Sequence, residues 1–331
     1  MDKVKLGFIG CGGITQAHLD HGLKDFPDVE FVGWCDLDPK VAELRQQEVD
    51  GQGAIYTVAE QMLDETKPDA VFIMLPPFAH GSIEDLVLDR DLPFFIEKPV
   101  AIDLPTAQRV VQEVNERGLI TSVGYMNRYR DSSLRVHDLI EKSKPVIMHG
   151  GWVLAGPTEY EGIWKWWVQK DKSGGQFLEM TTHTIDLARY FFGEVSSVFA
   201  VAVNVLDRPD FFTIDDAMMV QLTFENGAAG ALYNSACTPV GESIGLTLWG
   251  TDLRADFETW DHDVRIQLPD GKVEEISGGQ NIFAREDRAF IDSVKAGENR
   301  GILATYEDGL RATEIAVAAT TSLETGEPII L

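Results

Sequence analysis

A lysine stands directly after an apolar run in the segment FFIEKPV (94–100). A strand buried in a sheet does not usually end on an acid, a base and a proline in succession, so Glu97, Lys98 and Pro99 indicate a functional turn. An ammonium group at a strand end can hydrogen-bond a reacting oxygen and stabilise negative charge on it. Proline makes the turn rigid, and we expect the Lys98–Pro99 peptide bond to be cis.

An acid, an imidazole and a second acid share one face of a predicted helix over residues 176–192. Glu179, His183 and Asp186 stand at i, i+4 and i+7, which places them on one side. His183 can then act as an acid/base tuned by Glu179, or the three residues can hold a divalent metal ion. A solvated or internally satisfied helix face explains the same pattern equally well.

Three tryptophans, Trp164, Trp166 and Trp167, crowd into four residues of the loop before that helix. Indole faces can stack on the C–H faces of sugars and cyclitols while polar neighbours bind hydroxyl groups. A buried aromatic cluster or a subunit contact is the competing explanation, and tryptophan density by itself favours it.

The segment GFIGCGGIT (7–15) carries the first two glycines of the pattern G-x-G-x-x-G at Gly10 and Gly12, with Thr15 in the third position. It follows a predicted strand and opens a predicted helix, as a pyrophosphate-binding turn does. Asp36 ends the next strand, where an acid can bind both ribose hydroxyls and repel a 2′-phosphate, which favours NAD over NADP. The alternative is that Asp36 or Asp38 caps the helix that starts at Pro39.

The first 123 residues alternate between strand-like and helical patterns. Strands are predicted at 4–10, 29–36, 68–76, 93–97 and 119–124, and helices at 12–25, 39–49, 80–90 and 104–118. Thr57 and Glu60 form a possible capping box before QMLDE. This alternation predicts an α/β domain with a doubly wound parallel sheet, whose ligands bind beyond the carboxyl ends of the strands. One site there accounts for the glycine turn, Asp36, the LPPFAH turn and Lys98.

Residues 124–331 show a different pattern, in which strand-like segments dominate after a polar helix. Strands are predicted at 146–155, 197–205, 217–224, 228–236, 244–250, 254–258, 264–269 and 272–277, and further helices at 282–296 and 305–325. ENG (225–227) and PDG (269–271) read as hairpin turns. We therefore expect an α+β domain over 124–331 with a large, mostly antiparallel open sheet, following a first domain over 1–123. One sheet face lies under helices, and the other is expected to pair with another subunit.

Composition limits the partners. The 331 residues are 44% hydrophobic and 25% charged, and the formal net charge is −26. Such a surface repels nucleic acid and anionic membranes. No apolar stretch is long enough to span a bilayer, and the N-terminal apolar run meets a glycine turn at once, which favours a cytoplasmic protein. The three cysteines, Cys11, Cys35 and Cys237, match no metal site and are expected to be reduced thiols.

Five motifs in sequence order resemble the Gfo/Idh/MocA oxidoreductase family: GFIGCGGI, LPPFAH, EKPVA, VGYMNRY and SGG-x3-E-x3-H-x2-D. The resemblance extends to TYEDGLRATEIAVAATTSLETGEPI and so covers nearly the whole chain. It implies a Rossmann domain followed by an α/β domain with a large open sheet. It also implies hydride transfer between NAD(P) and a sugar, cyclitol or related carbinol in a homodimer or homotetramer. The family uses no metal, so the metal reading of the helix is dropped.

The resemblance assigns roles to residues. It implies that Lys98 is the active-site lysine, that His183 is the catalytic acid/base, and that the two lie on opposite sides of one carbinol. Glu179 stands where the family often has an aspartate, so it either orients His183 or binds a substrate hydroxyl. The expected cofactor contacts are Gly10, Cys11, Gly12, Gly13, Ile14, Asp36, Leu37, Leu75, Pro76, His80, Glu97, Lys98 and Arg128. The expected substrate contacts are Tyr125, Trp152, Trp166, Trp167 and Asp186.

Some positions depart from the family pattern. Ser173 replaces the first of three glycines, and Thr181 replaces a frequent glycine, which indicates a subgroup with its own substrate. Two other functions remain open from the sequence. One is a redox-neutral lyase or glycoside-cleaving enzyme that retains and recycles its NAD. The other is a non-catalytic, dinucleotide-responsive regulatory protein, although such a sensor needs neither Lys98 nor His183.

Overall fold

A computed structural model of the protein describes residues 3–157, 159–238 and 242–331. Contacts divide the chain into two compact units, each built from separate segments. The first unit runs to Ala101 and adds 105–126 and 281–310, whereas the second comprises 102–104, 127–280 and 311–331. Within the described ranges, no helix is both long enough and apolar enough to cross a membrane.

The elements up to residue 126 alternate as the sequence predicts. The strands are β1 (Val4–Ile9), β2 (Val29–Cys35), β3 (Ala54–Tyr56), β4 (Ala70–Ile73), β5 (Phe94–Ile96) and β6 (Thr121–Val123). The helices are α1 (Gly13–Asp20), α2 (Pro39–Glu48), α3 (Ala59–Thr66), α4 (Ser82–Leu88) and α5 (Leu104–Arg117). All strand pairs are parallel, in the order β3-β2-β1-β4-β5-β6, which is the Rossmann order. The sequence missed β3, a short and partly exposed edge strand.

Helix starts in this unit follow local side-chain chemistry. Asp38 caps α2 by accepting a hydrogen bond from the Lys40 backbone N–H at 3.0 Å, with Pro39 at the first helical position. The predicted capping box before α3 is wrong. Val58 is the N-cap of α3, which places Glu60 only two residues further on, whereas a capping box needs the acid three residues after the cap.

The second unit begins with helices and continues as a sheet. The helices are α6 (Asp131–Ile140), α7 (Trp164–Trp167), α8 (Lys170–Ser173), α9 (Gln176–Glu179) and α10 (Thr182–Phe192). The strands are β7 (Pro145–Ala155), β8 (Val195–Val203), β9 (Ala217–Phe224), β10 (Ala229–Thr238), β11 (Ser243–Gly250), β12 (Arg254–Glu258), β13 (Asp263–Gln267) and β14 (Val273–Ile276). The chain ends with α11 (Ile282–Ala296), α12 (Tyr306–Thr325) and β15 (Ile329–Ile330).

Nine strands form one sheet in the order β14-β13-β12-β11-β7-β10-β9-β8-β15, and only β7 and β10 pair in parallel. The mostly antiparallel sheet is thus confirmed. Both predicted hairpin turns are present, and Gly227 and Gly271 supply the positive φ angles of 87° and 83° that these turns require. One face of the sheet packs against helices, and α10 contacts β7 and β10.

The helix predicted over 176–192 is interrupted. α9 ends at Glu179, and the Thr181 backbone N–H reaches back five residues to the Gln176 carbonyl at 3.2 Å before α10 begins at Thr182. Thr181 and Thr182 are both β-branched, which weakens helix at this point. As a result, Glu179 and His183 belong to separate helices and do not share the single helix face that their spacing predicts.

Residues 281–310, near the end of the chain, belong to the first unit. The two units are therefore not separated by a single boundary at residue 123. Phe290 and Ile291 of α11, with Ile302, belong to the same buried core as Phe8 and Phe72 of the parallel sheet. The Tyr306 hydroxyl donates to the Val100 carbonyl at 3.4 Å. Residues 281–310 therefore complete a core that the first 126 residues begin.

Candidate active site

The glycine turn after β1 has the geometry of a phosphate cradle. Gly10 has φ +89°, and a side chain there would collide with the Met74 carbonyl. An added Cβ at Gly12 or Gly13 would meet nothing within 4 Å, so the backbone at the start of α1 is open to a ligand. Thr15, in the third glycine position, is fully buried and donates from its hydroxyl to the Gly10 carbonyl at 2.8 Å. This bond fastens the turn from within.

Asp36 connects the end of β2 to the glycine turn. Its Oδ2 accepts from the Cys11 backbone N–H at 2.9 Å, and its Oδ1 accepts from the Asp38 backbone N–H at 3.0 Å. Each carboxylate oxygen keeps a further lone pair that can accept from a ribose hydroxyl. Since Asp38 rather than Asp36 caps α2, Asp36 remains available for that role.

Two cysteines adjoin this turn as buried free thiols. The Cys11 Sγ donates to the Cys35 carbonyl oxygen at 3.6 Å. Burial raises the pKa of Cys11 above its ordinary range and raises the pKa of Cys35 to about 11, so both thiols are protonated at neutral pH. The side chain of Cys237 lies outside the described residues.

The turn after β5 places Lys98 as the sequence suggests. The Lys98–Pro99 peptide bond is cis, which confirms that prediction. Glu97 Oε2 accepts from the Lys98 backbone N–H at 3.2 Å. A side chain at Gly124 would meet the Glu97 carboxylate at 2.6 Å, so glycine at that position leaves room for the acid. The Glu97 carboxylate therefore packs against the start of its own turn.

Behind Glu97 lies a buried chain of polar groups that the sequence did not reveal. His18, on α1, contacts Asp287 Oδ1 through Nδ1 at 2.8 Å and Glu97 Oε1 through Nε2 at 3.3 Å. Burial lowers the pKa of His18, but the Asp287 and Glu97 carboxylates outweigh it and hold that pKa well above its usual value. His18 is thus a cation between two acids. Burial raises the pKa of the adjacent Glu286 well above its ordinary value, which keeps that side chain neutral.

His183 lies in the first turn of α10, and its imidazole stacks on Trp152 of β7. The ring centroids are 5.8 Å apart with an interplanar angle of 22°. Only 5% of His183 is exposed, so the imidazole is shielded from bulk water on most sides. Trp152 itself is packed at right angles to Trp260. A buried imidazole on a rigid aromatic platform is well suited to move a proton.

Glu179 bonds to the tryptophan segment. Glu179 Oε2 accepts from the Trp167 indole N–H at 2.5 Å. Trp167 and Trp152 belong to one buried apolar cluster, with Trp164 and Trp166 packed against it. The tryptophans pack together, and substrate contact by Trp152, Trp166 and Trp167 stays a prediction. Trp152 nevertheless also presents a face to His183.

Arg128 and Asp186 are paired with each other in the second unit. Arg128 Nη2 lies 2.7 Å from Asp186 Oδ1, and Arg128 Nε lies 2.9 Å from Asp186 Oδ2, so the pair is bidentate. Both side chains are buried, and the guanidinium also lies over the Tyr190 ring at 4.9 Å. The sequence assigned Arg128 to the cofactor and Asp186 to the substrate. The bidentate contact holds the two side chains together, and both assignments stay predictions.

The other expected contacts differ in their surroundings. Leu37, after β2, is 94% exposed. Ile14 is the second residue of α1, and Leu75 and Pro76 follow β4. His80 is paired through Nδ1 with Glu84 Oε1 at 2.6 Å, within the turn that leads to α4. Tyr125 is buried just after β6.

The fold and the glycine turn together define a class of protein. A sheet in Rossmann order, a glycine turn open to a pyrophosphate and an acid at the end of β2 are the features of a nicotinamide dinucleotide-binding oxidoreductase. The cofactor is NAD, and the reaction is dehydrogenation.

The chain belongs to the Gfo/Idh/MocA family. Residues 4–125 match the model of the oxidoreductase family with an NAD-binding Rossmann fold, and residues 144–255 match the GFO/IDH/MocA C-terminal domain. The scyllo-inositol 2-dehydrogenase (NAD(+)) of Bacillus subtilis is 27% identical over 99% of this chain and 96% of its own length. The myo-inositol 2-dehydrogenase of Thermotoga maritima is 25% identical over 97% and 96%.

Solved structures share the fold along the full chain. A levoglucosan dehydrogenase in complex with NADH and L-sorbose superposes with a TM-score of 0.88 at 18% identity, covering 100% of this chain and 99% of that one. The WlbA dehydrogenase from Bordetella pertussis, in complex with NADH and UDP-GlcNAcA, gives a TM-score of 0.84 at 20% identity over 99% of each chain. At this identity the likeness establishes the fold.

Replacing Asp36 is expected to relax cofactor choice. Asp36→Asn keeps an oxygen that can accept a backbone N–H but removes the charge that repels a 2′-phosphate. We expect the ratio of kcat/KM for NADP to that for NAD to rise at least about tenfold. Asp38→Asn, which changes an acid of the same turn that caps α2, serves as the control and should leave the ratio unchanged. An unchanged ratio in Asp36→Asn would remove Asp36 from the discriminating role.

Proposed function

We propose that this protein oxidises a CH–OH group of a cyclitol or sugar to a carbonyl, with NAD as the acceptor. NAD, when bound, supplies the hydride acceptor. In this proposal His183 takes the hydroxyl proton as the carbon loses its hydride, and Lys98 donates a hydrogen bond to the same oxygen. The observation that carries the proposal is the imidazole of His183, almost completely buried and stacked on Trp152, in a chain whose full-length relatives include two inositol dehydrogenases.

The surroundings of His183 suit proton transfer. An imidazole is the side chain whose ordinary pKa lies nearest neutral pH, so it can accept a proton and release it in the same cycle. Trp152 holds the ring plane by stacking and fixes where the nitrogen atoms lie. Glu179 acts at one remove, because its carboxylate binds the Trp167 indole N–H and so holds the tryptophan cluster beside α10.

Lys98 contributes positive charge at a rigid position. The Glu97 carboxylate accepts from the Lys98 backbone N–H, and His18 and Asp287 hold that carboxylate from behind. The backbone from which the lysine side chain extends is therefore fixed by three connected groups. An ammonium held in this way stabilises the oxygen as negative charge develops, without a reorganisation cost at the moment of reaction.

The test is NAD reduction, followed as absorbance of the reduced nicotinamide, with scyllo-inositol, myo-inositol, free aldoses and methyl glycosides as separate substrates. Reduction with the cyclitols or aldoses supports the proposal. Consumption of a methyl glycoside with no net reduction contradicts it and favours the redox-neutral reaction. Binding of NAD without conversion of any member of the panel also contradicts it.

We also propose that the outer face of the nine-stranded sheet pairs with a second copy of the chain. Ile147, Val201, Val203 and Met219 are exposed on this face, and Val201 and Met219 are register partners on β8 and β9. Exposed apolar side chains that adjoin one another on a sheet mark an interaction surface. The net charge of −26 makes such a patch unusual on this chain.

Met219→Asp is expected to convert the oligomer to a monomer. A carboxylate within an apolar contact loses its hydration and gains no hydrogen-bond donor or cation in return, so association weakens. Light scattering coupled to size exclusion would measure the mass. Leu44→Asp changes an exposed leucine of α2 in the first unit and is the matched control. A wild-type monomer, or an oligomer that survives Met219→Asp, would contradict the proposal.

A further inference from the structure

In the described part of the second unit, three of the uncharged polar side chains that are buried without hydrogen-bond partners lie on α9, on β10 or at the start of α10. Gln176, Thr181 and Asn234 are 3%, 0% and 2% exposed. The amide nitrogen and oxygen of Gln176 and Asn234, and the hydroxyl oxygen of Thr181, have no hydrogen-bond partner among the residues that the structure describes. Buried polar atoms in folded proteins are nearly always paired, so a group of this kind calls for an explanation.

Asn234 lies beside the platform of His183. On the helix-covered face of the sheet, β9, β10, β7 and β11 form a row in which Met218, Asn234, Trp152 and Ile244 are successive register partners. Asn234 is the one amide among apolar neighbours in this row. Its partner Trp152 stacks on His183. Asn234 is therefore on the strand next to Trp152, whose indole stacks on the His183 imidazole.

Gln176 and Thr181 approach the same histidine along the chain. Gln176 opens α9, and Thr181 stands at the break between α9 and α10, two residues before His183. Both helices pack on β10, the strand that carries Asn234. The sequence marks Thr181 as a departure from the family pattern, where glycine is frequent. Its hydroxyl is buried two residues before His183, without a partner among the described residues.

These groups match the chemistry of a polyol. A carboxamide donates through its nitrogen and accepts through its oxygen, as a pair of neighbouring hydroxyl groups requires. An apolar residue of similar shape would fill each position without leaving a polar atom unpaired. The charged alternatives would repel or bind ions, whereas neutral amides and a hydroxyl recognise neutral hydroxyls. The site is therefore suited to an uncharged, polyhydroxylated ring.

We propose that Asn234, together with Gln176 and Thr181, binds hydroxyl groups of the substrate near the carbon that is oxidised and determines which stereoisomer is accepted. This inference rests on the proposed function, because it names the part of the same site that selects the substrate. A site built to hydrogen-bond a hydroxyl rejects an analogue that lacks it, since the polar groups of the protein are then left unpaired.

The test compares Asn234→Leu and Thr181→Val with the wild type. The probes are scyllo-inositol, myo-inositol and a monodeoxy analogue of whichever reacts faster. For Asn234→Leu we expect kcat/KM for the preferred inositol to fall at least about tenfold, while the deoxy analogue loses much less, so that the wild-type discrimination between them shrinks. NAD affinity, measured separately by fluorescence, should not change.

Thermal unfolding without substrate distinguishes a role in substrate binding from a role in the fold, since only the latter predicts a loss of stability in the variants. Because both variants replace unpaired buried polar atoms by apolar groups of similar shape, their unfolding temperature should be equal to or above that of the wild type. Ser235→Ala is the control: Ser235 is the next residue of β10, and its hydroxyl donates to the Asp216 carbonyl at 2.9 Å. This variant should lose stability and keep the wild-type discrimination.

Unchanged discrimination in Asn234→Leu would overturn the inference while leaving the proposed function intact. A lower unfolding temperature together with unchanged kcat/KM would also overturn it and assign Asn234 to the fold. If Asn234→Leu does not fold, Thr181→Val is read by the same criteria. Failure of the wild type to reduce NAD with any cyclitol or aldose would overturn the proposed function and this inference together, and this outcome needs no variant. If only an aldose reacts, that aldose and its deoxy analogue replace the inositols in the comparison.

Discussion

His183→Ala is expected to lower turnover by about 10²-fold or more while NAD binds as tightly as before. Alanine removes the group that accepts the hydroxyl proton and leaves the first unit, which carries the glycine turn and Asp36, unaltered. Steady-state kcat with the best substrate and a separate NAD titration measure the two quantities. Turnover at the wild-type rate would exclude His183 as the acid/base.

His149→Ala is the matched control for this experiment. His149 lies on β7, the strand that carries Trp152, but it is exposed, and it packs near Trp249 rather than His183. Removing it tests whether any imidazole in this part of the sheet affects turnover. We expect kcat within a factor of about two of the wild type, as for surface substitutions away from a site.

Lys98→Ala extends the same prediction to the other proposed catalytic group. We expect a large loss of turnover and little change in the free energy of unfolding. An ammonium at a strand end stabilises the transition state and does not belong to a core. If Lys98 and His183 act on one oxygen, the double variant should lose less than the product of the two single losses. Fully multiplicative losses would show that the two residues act on independent steps.

The second large effect concerns stability. Asp186→Ala leaves the Arg128 guanidinium buried without its bidentate partner, and we expect the free energy of unfolding to fall by about 3–5 kcal/mol. Replacing both residues by apolar ones, as in Arg128→Met with Asp186→Leu, should cost much less, because no unpaired charge remains. Urea unfolding followed by tryptophan fluorescence measures all three proteins.

An exposed pair on a neighbouring helix serves as the control. Asp138 of α6 contacts Lys142 and Arg135 at the surface, where water screens the charges, so Asp138→Ala should change stability little. If Asp186→Ala unfolds at the wild-type urea concentration yet loses substrate affinity, the original assignment of Asp186 as a substrate contact is correct and the structural role is wrong.

Features that depend on nearby residues could be predicted from the sequence. Apolar strands with short helical connections predict the parallel sheet. The cis bond at Lys98–Pro99 and the two glycine hairpin turns are likewise properties of two to four adjacent residues. Asp38 as the cap of α2 belongs with them.

Features that depend on residues distant in the sequence could not be predicted from it. His18 and Asp287 are 269 positions apart, and no periodicity relates them. The signal that could have drawn attention to them is a pair of acids, Glu286 and Asp287, in the second turn of an amphipathic helix whose apolar side must be buried. The bond between Glu179 and Trp167 was missed for another reason. Helical spacing was extended across Thr181 and Thr182, although β-branched residues favour a break there.

Because residues 281–310 belong to the first unit, that unit cannot be completed until most of the chain has been synthesised. A ribosome releases the glycine turn, Asp36 and Lys98 early, but the core under the parallel sheet still lacks Phe290 and Ile291 at that time. His18 likewise has no Asp287 until most of the chain has been made. Domains usually fold as units during synthesis, the N-terminal one first, but here the first unit lacks part of its chain until residue 310 has been made. The second unit is completed later still, because residues 311–331 belong to it. Neither unit is therefore complete until almost the whole chain has been made.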